Sequence, residues 1–109
     1  MNVLSDAYAA QHAKLLQAKE AKEAAHAAIE AEIVNIRAIL HVPSLQYKHL
    51  RTGPTSTTEY LIEVPKEIVS RVPKEWMRVN QTKQVVRYHS PTVLELYQRL
   101  MEARYVVFA

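Results

Sequence analysis

Arg78, Lys83 and Arg87 lie in a stretch without a single acid from Glu75 to Glu95, among the strand formers Val79, Val85, Val86 and Tyr88. Asn80, Gln81 and Thr82 sit between them as polar turn residues. Cations and side-chain amides at a hairpin end bind anions, and an acid-free basic tip suits a phosphate backbone. The same residues also make an ordinary solvated strand face, where lysine and arginine are common. No other chemistry is written locally. The five histidines (His12, His26, His41, His49 and His89) form no i,i+4 pair, and there is no cysteine, so nothing has the spacing of a metal site. No motif orients a nucleophile, and no catalytic residue is assigned.

The chain of 109 residues has room for one modest core and no separate catalytic domain. The absence of cysteine fits an intracellular protein, no apolar run reaches the length of a membrane span, and the start lacks the pattern of a signal peptide. The net charge of +3 is unevenly placed. Residues 1–40 hold four bases and five acids, whereas residues 41–109 hold ten bases and six acids, so the attraction for a polyanion belongs to the later part.

The elements that would position the basic stretch can be read in chain order. From Ser5, an N-cap residue, to about Leu40 there is no Pro or Gly, and alanine recurs, which predicts one long helix. Its apolar seam runs Leu4, Tyr8, Gln11, Leu15, Ala18, Lys22, Ala25, Ile29, Ile33, Ile36, Leu40, a step of about 3.6 residues, the period of a straight helix. Such an arm is about 54 Å long and must project. Val42-Pro43 ends it. Alternation predicts strands at Leu45–His49 and Tyr60–Val64, joined by the hairpin loop Arg51–Thr58, with Leu45, Tyr47, Tyr60, Ile62 and Val64 inward and Leu61 and Glu63 outward. Pro65 and Pro73 bracket a short crossover, and Trp76 opens a second hairpin. An even-numbered turn would pair Met77 with Val86 and put Arg78, Asn80, Lys83 and Arg87 on one face; an odd turn would shift this. Trp76 and Tyr88 read as packing residues rather than base stackers. Ser90-Pro91 starts a last helix, which has no stop signal before Ala109.

Taken together, Tyr47-Lys48, Tyr60-Leu-Ile-Glu-Val-Pro-Lys66, Val72-Pro-Lys-Glu-Trp-Met-Arg78, Gln81-Thr-Lys83, Val86-Arg-Tyr-His-Ser-Pro91 and the helix from Leu94 to Ala103 resemble the clamp domain of the MutS mismatch-repair family. Lys83 and Val86 make the likeness greater to the eukaryotic subunits that pair with a second MutS homologue. The resemblance implies an α+β fold: a lever helix at 1–42, a four-stranded antiparallel clamp sheet at 43–90 and a returning lever helix at 91–109, the chain being a fragment of a longer parent. It implies sequence-independent contact with the phosphate backbone of duplex DNA through Arg78, Asn80, Gln81, Thr82, Lys83, Gln84 and Arg87, with Arg51 in a second candidate loop. Three contacts, from Arg78, Lys83 and Arg87, would give a log–log salt slope near −2.7, at roughly −0.9 each. It further implies a nuclear parent protein, paired with a second MutS homologue, in which ATP and Mg serve an ATPase domain outside this chain. The chain has neither a Phe-x-Glu mismatch wedge nor a Walker A sequence. The alternative from the residues alone is a helical protein-interaction arm with a merely structural tip. If Pro91 lies beside Leu40, the returning helix reaches only to about Lys22, and residues 4–21 are left either to fray or to pair with a second molecule.

Overall fold

The alanine-rich stretch forms a single helix, α1 (Val3–Leu40), in the computed structural model, which describes residues 3–108 and the side chains of residues 7–105. The helix begins two residues before the predicted cap; the side chains of Leu4 and Ser5 lie outside the described residues, as does Ala109. Its seam follows the predicted period: Ala18, Ala25, Ile29, Ile33, Ile36 and Leu40 are buried. The helix ends at Leu40, as predicted, ahead of Val42-Pro43. His41 takes the left-handed conformation (φ 56°), and the Val42 N–H donates to the Arg37 carbonyl at 3.1 Å, the 6→1 bond of a Schellman cap. Arg71 of the crossover donates to the Leu40 carbonyl at 2.8 Å and satisfies a further orphan acceptor at this end.

Four antiparallel strands follow: β1 (Lys48–Arg51), β2 (Thr57–Pro65), β3 (Met77–Gln81) and β4 (Val85–His89), in the spatial order β1-β2-β4-β3. The first strand starts later than alternation predicts. Residues 42–47 form a turn bound to α1 instead of a ladder: Leu45 N–H donates to the Val42 carbonyl at 3.2 Å within the turn, while Arg37 Nε donates to the Leu45 carbonyl at 2.8 Å and the Tyr47 hydroxyl to the Ile29 carbonyl at 2.7 Å. Leu45 and Tyr47 still join Tyr60, Ile62 and Val64 in the core, as alternation requires. Leu61, predicted to face outward, is buried outside that cluster; it stands opposite Lys48 at the end of the β1 pairing, and the β4 pairing begins at the next residue, Ile62. The crossover is a 3₁₀ helix, Lys66–Arg71. Trp76 and Tyr88 are both buried, with ring centroids 6.2 Å apart in an edge arrangement, and so act in packing.

Helix α2 (Pro91–Phe108) starts on the predicted cap, the Val93 N–H donating to Ser90 Oγ at 3.1 Å. It runs back along α1, but not from Leu40. Tyr97 and His26 both pack on Tyr60, which sets these two residues at one level. With equal rise in both helices, Pro91 then lies beside Glu32 or Ile33. Contact accordingly extends past Lys22 to Ala18, and the open part of the described arm lies before it, with Tyr8, Leu15 and Leu16 exposed. The whole measures 66 × 31 × 22 Å.

Tyr60 joins arms and sheet. It holds φ 57° at the irregularity of the β1–β2 pairing, between Thr58 and Leu61, two residues before the β4 pairing begins at Ile62. Its N–H donates to His49 Nδ1 at 3.2 Å, and its hydroxyl is hydrogen-bonded to His26 Nδ1 at 3.1 Å. Burial, reinforced by the Glu59 carboxylate, raises the Tyr60 hydroxyl above its ordinary range; burial, with Glu32 and Glu30 nearby, does the same to Tyr47. Both phenols are thus held neutral in the folded chain, while an unfolded chain ionises them near pH 10. The folded state binds more protons above that point, so this contribution to stability is complete below about pH 10 and lost as pH rises beyond it. Thermal melts between about pH 8 and about pH 11 should show a fall in midpoint at the alkaline end. Tyr47→Phe should reduce that fall, at the cost of one hydrogen bond, about 1 kcal/mol, at neutral pH.

Candidate nucleic-acid interface

The β3–β4 hairpin is closed by its own threonine. The Thr82 N–H donates to the Val85 carbonyl at 2.9 Å, and Thr82 Oγ1 accepts from the N–H groups of Gln84 and Val85, each at 3.2 Å. This side-chain turn holds Lys83 at the apex and leaves the Thr82 hydroxyl proton available to a ligand. Gln81, Thr82, Lys83 and Gln84 are all exposed.

The pairing is neither of the simple alternatives of an even or an odd turn. Gln81 pairs with Val86 and Asn80 with Arg87, but Arg78 pairs with Tyr88 and Met77 with His89, so Val79 is the extra residue of a β-bulge. A bulge reverses which side chains share a face. Asn80 lies with Arg87, as predicted, whereas Arg78 is separated from them and lies exposed on the β3 edge.

Arg87 departs from the open cation that the sequence suggested. Its Nε donates to Glu63 Oε2 at 2.8 Å and its Nη1 to Asn80 Oδ1 at 3.0 Å; its side chain is only 16% exposed. Glu63 stands directly opposite Arg87 in the β2–β4 ladder, which puts opposite charges side by side. Arg87 and Asn80 therefore brace the hairpin. Sequence reasoning missed this pair because it depends on β2 and β4 being neighbours; the signal was present in Glu63 and Arg87, both on the outward face by alternation.

Arg51 is not brought to this tip. The β1–β2 loop lies at the start of β2, whereas the hairpin tip lies against its end, a strand of nine residues or about 26 Å away. Arg51 donates to the Pro54 carbonyl at 2.8 Å within its own loop. Next to that loop the Glu59 carboxylate is paired with Arg104 of α2, and the hydrogen bond between them holds the Arg104 guanidinium charged, above its ordinary range. Lys66, the first residue of the crossover as predicted, is also tied to the hairpin: its N–H donates to the Gln84 carbonyl at 3.0 Å. Among the described residues no group of three His, Cys, Asp or Glu is placed to take a metal ion, and no helix is long and apolar enough to cross a membrane.

The model of MutS family domain IV matches residues 11–105. The chain belongs to the MutS family. Its MutS relatives include the DNA mismatch repair protein Msh3 of Dictyostelium discoideum, 37% identical over 94 residues, which are 86% of this chain and 6% of that protein. Msh3 of Mus musculus is 38% identical over 85 residues, 78% of this chain and 7% of that protein, and MSH3 of Mycosarcoma maydis 43% identical over 61 residues, 56% and 5%. All three are eukaryotic, in line with the resemblance carried by Lys83 and Val86. This chain spans about one sixteenth of the first of these MutS proteins.

Within the MutS hairpin, the bracing and the exposed cations should separate in unfolding experiments. Glu63→Ala leaves the covered Arg87 charge without its carboxylate and should cost about 1–3 kcal/mol. Lys83→Ala should stay within about 0.5 kcal/mol of the parent sequence. Urea titration measures both.

Proposed function

We propose that this domain holds duplex DNA by its phosphate backbone, without reading sequence, through the exposed tip of the β3–β4 hairpin, and so helps a mismatch repair protein to encircle and retain DNA. The observation that carries the reading is the state of Lys83: at the apex, exposed and outside every ion pair among the described residues. Arg78 supplies a second exposed cation on the adjoining edge, and Gln81, Thr82 and Gln84 supply neutral donors. Asn80 and Arg87 set the shape of the tip from behind. Arg51 would meet DNA only separately, from its own loop. Membership of MutS domain IV and the printed name of the relatives, DNA mismatch repair protein, support the same reading.

A second role belongs to the other end. Leu15 and Leu16 on α1 and Met101 on α2 are exposed large apolar side chains, which favour packing against further helices of the parent or of a second MutS homologue subunit. In isolation the same surface would pair two copies of the chain. ATP and Mg would be bound elsewhere in the parent, whose work on DNA in a eukaryote would place it in the nucleus.

Phosphate contacts position a protein and base contacts specify sequence. Lys83→Glu should therefore weaken binding to matched and mismatched duplexes alike, by roughly three- to tenfold at moderate salt. Non-specific affinity of the chain should fall in the range of about 10⁻⁴ to 10⁻⁶ M at physiological salt. Fluorescence anisotropy with both duplexes tests this; loss confined to the mismatched duplex would contradict the assignment.

A further inference from the structure

We propose that Lys66 is a phosphate-binding residue of this domain and forms, with Lys83, a two-segment cation pair for consecutive phosphates of one DNA strand; this rests on the tip reading above. The β2–β4 register pairs Val64 with Val86 and Pro65 with Val85, and one step further it sets Lys66 opposite Gln84, where the Lys66 N–H donates to the Gln84 carbonyl at 3.0 Å. Opposed residues of an antiparallel ladder stand about 5 Å apart. Lys83 is the next residue along, about 3.8 Å further. Both lysines are thus brought to one end of the sheet by backbone bonds, although 17 positions separate them in sequence.

Several other cations in this half of the chain are committed, whereas Lys48, Lys74 and Arg78 are exposed like Lys66. Arg71 caps α1, Arg87 is bonded to Glu63 and Asn80, Arg99 to Glu95 and Arg104 to Glu59. Lys66 is exposed and in none of the ion pairs among the described residues. The acid nearest in sequence, Glu67, is the next residue of the 3₁₀ helix, where successive side chains diverge by about 120°. Phosphates on one DNA strand follow every 3.4 Å or so along the axis, close enough for two long lysine side chains to take neighbouring ones. The count of three contacts foreseen from Arg78, Lys83 and Arg87 is retained, with Lys66 in the place of the ion-paired Arg87.

The test is the salt dependence of binding of a matched duplex to the 109-residue chain, followed by fluorescence anisotropy, with circular dichroism to verify that each variant keeps its fold. Lys66→Ala should make the log–log slope shallower by about 0.9, and Lys66→Ala with Lys83→Ala by about 1.8. Lys66→Arg should keep the original slope, and Lys19→Ala, which removes the same charge from the exposed side of α1, should leave it unchanged. If Lys83→Ala acts while Lys66→Ala binds as the parent does, the two-segment pair is wrong and the tip reading stands. If neither substitution alters the slope, the tip reading itself falls. An equal effect of Lys19→Ala would show that net charge rather than placement governs binding, and would also overturn the proposal.

Discussion

The arrangement of the molecule depends on one side chain that closes the angle between helices and sheet. Tyr60 is packed edge-on against the rings of Tyr47, at 5.5 Å, His49, at 5.0 Å, and Tyr97, at 5.6 Å, which come from the α1–β1 connection, β1 and α2. A bulky residue in the left-handed region is unfavourable, by about 1–3 kcal/mol, and persists only where its surroundings over-determine it. Here they do. The hydrogen bonds to His49 and His26 fix its two ends, and the Tyr97 hydroxyl accepts the N–H of the preceding residue, Glu59, at 3.2 Å. The kink it makes falls within the β1 pairing, two residues before β2 takes up β4 as its partner.

Much of the fold was legible because it is local. The α1 seam, the Ser90-Pro91 start and the inward positions of Leu45, Ile62 and Val64 follow from spacing and capping alone, and the structure agrees with them. The points that escaped are those decided by distant parts of the chain. The strand after Pro43 starts late because α1 claims its backbone through Arg37 and Tyr47; α2 begins below Leu40 because Tyr60 sets the level of Tyr97. Neither bulge carries a glycine or another residue that would announce it.

The candidate interface divides along the same line. Lys83, Thr82 and the flanking glutamines were visible as an acid-free turn, and the turn exists. Which cations are open could not be read, because that depends on who stands across the ladder. Glu63 neutralises Arg87 from β2, while Lys66, silent in the sequence, is delivered to the tip by the bond that ends the same ladder. One strand thus withdraws a charge from the candidate surface and supplies another.

The cap at the end of α1 has a mechanical consequence. Arg71, in the crossover, grips the Leu40 carbonyl, and Tyr47 grips α1 one long step below, at Ile29, so the segments on either side of the His41 joint are linked to the helix at two further points. A helix of 38 residues is a rod of about 57 Å, and turning such a rod by about five degrees carries its far end through about 5 Å. With those two links carrying the sheet along, a small tilt of the arm displaces the hairpin by a distance comparable to the diameter of a phosphate group.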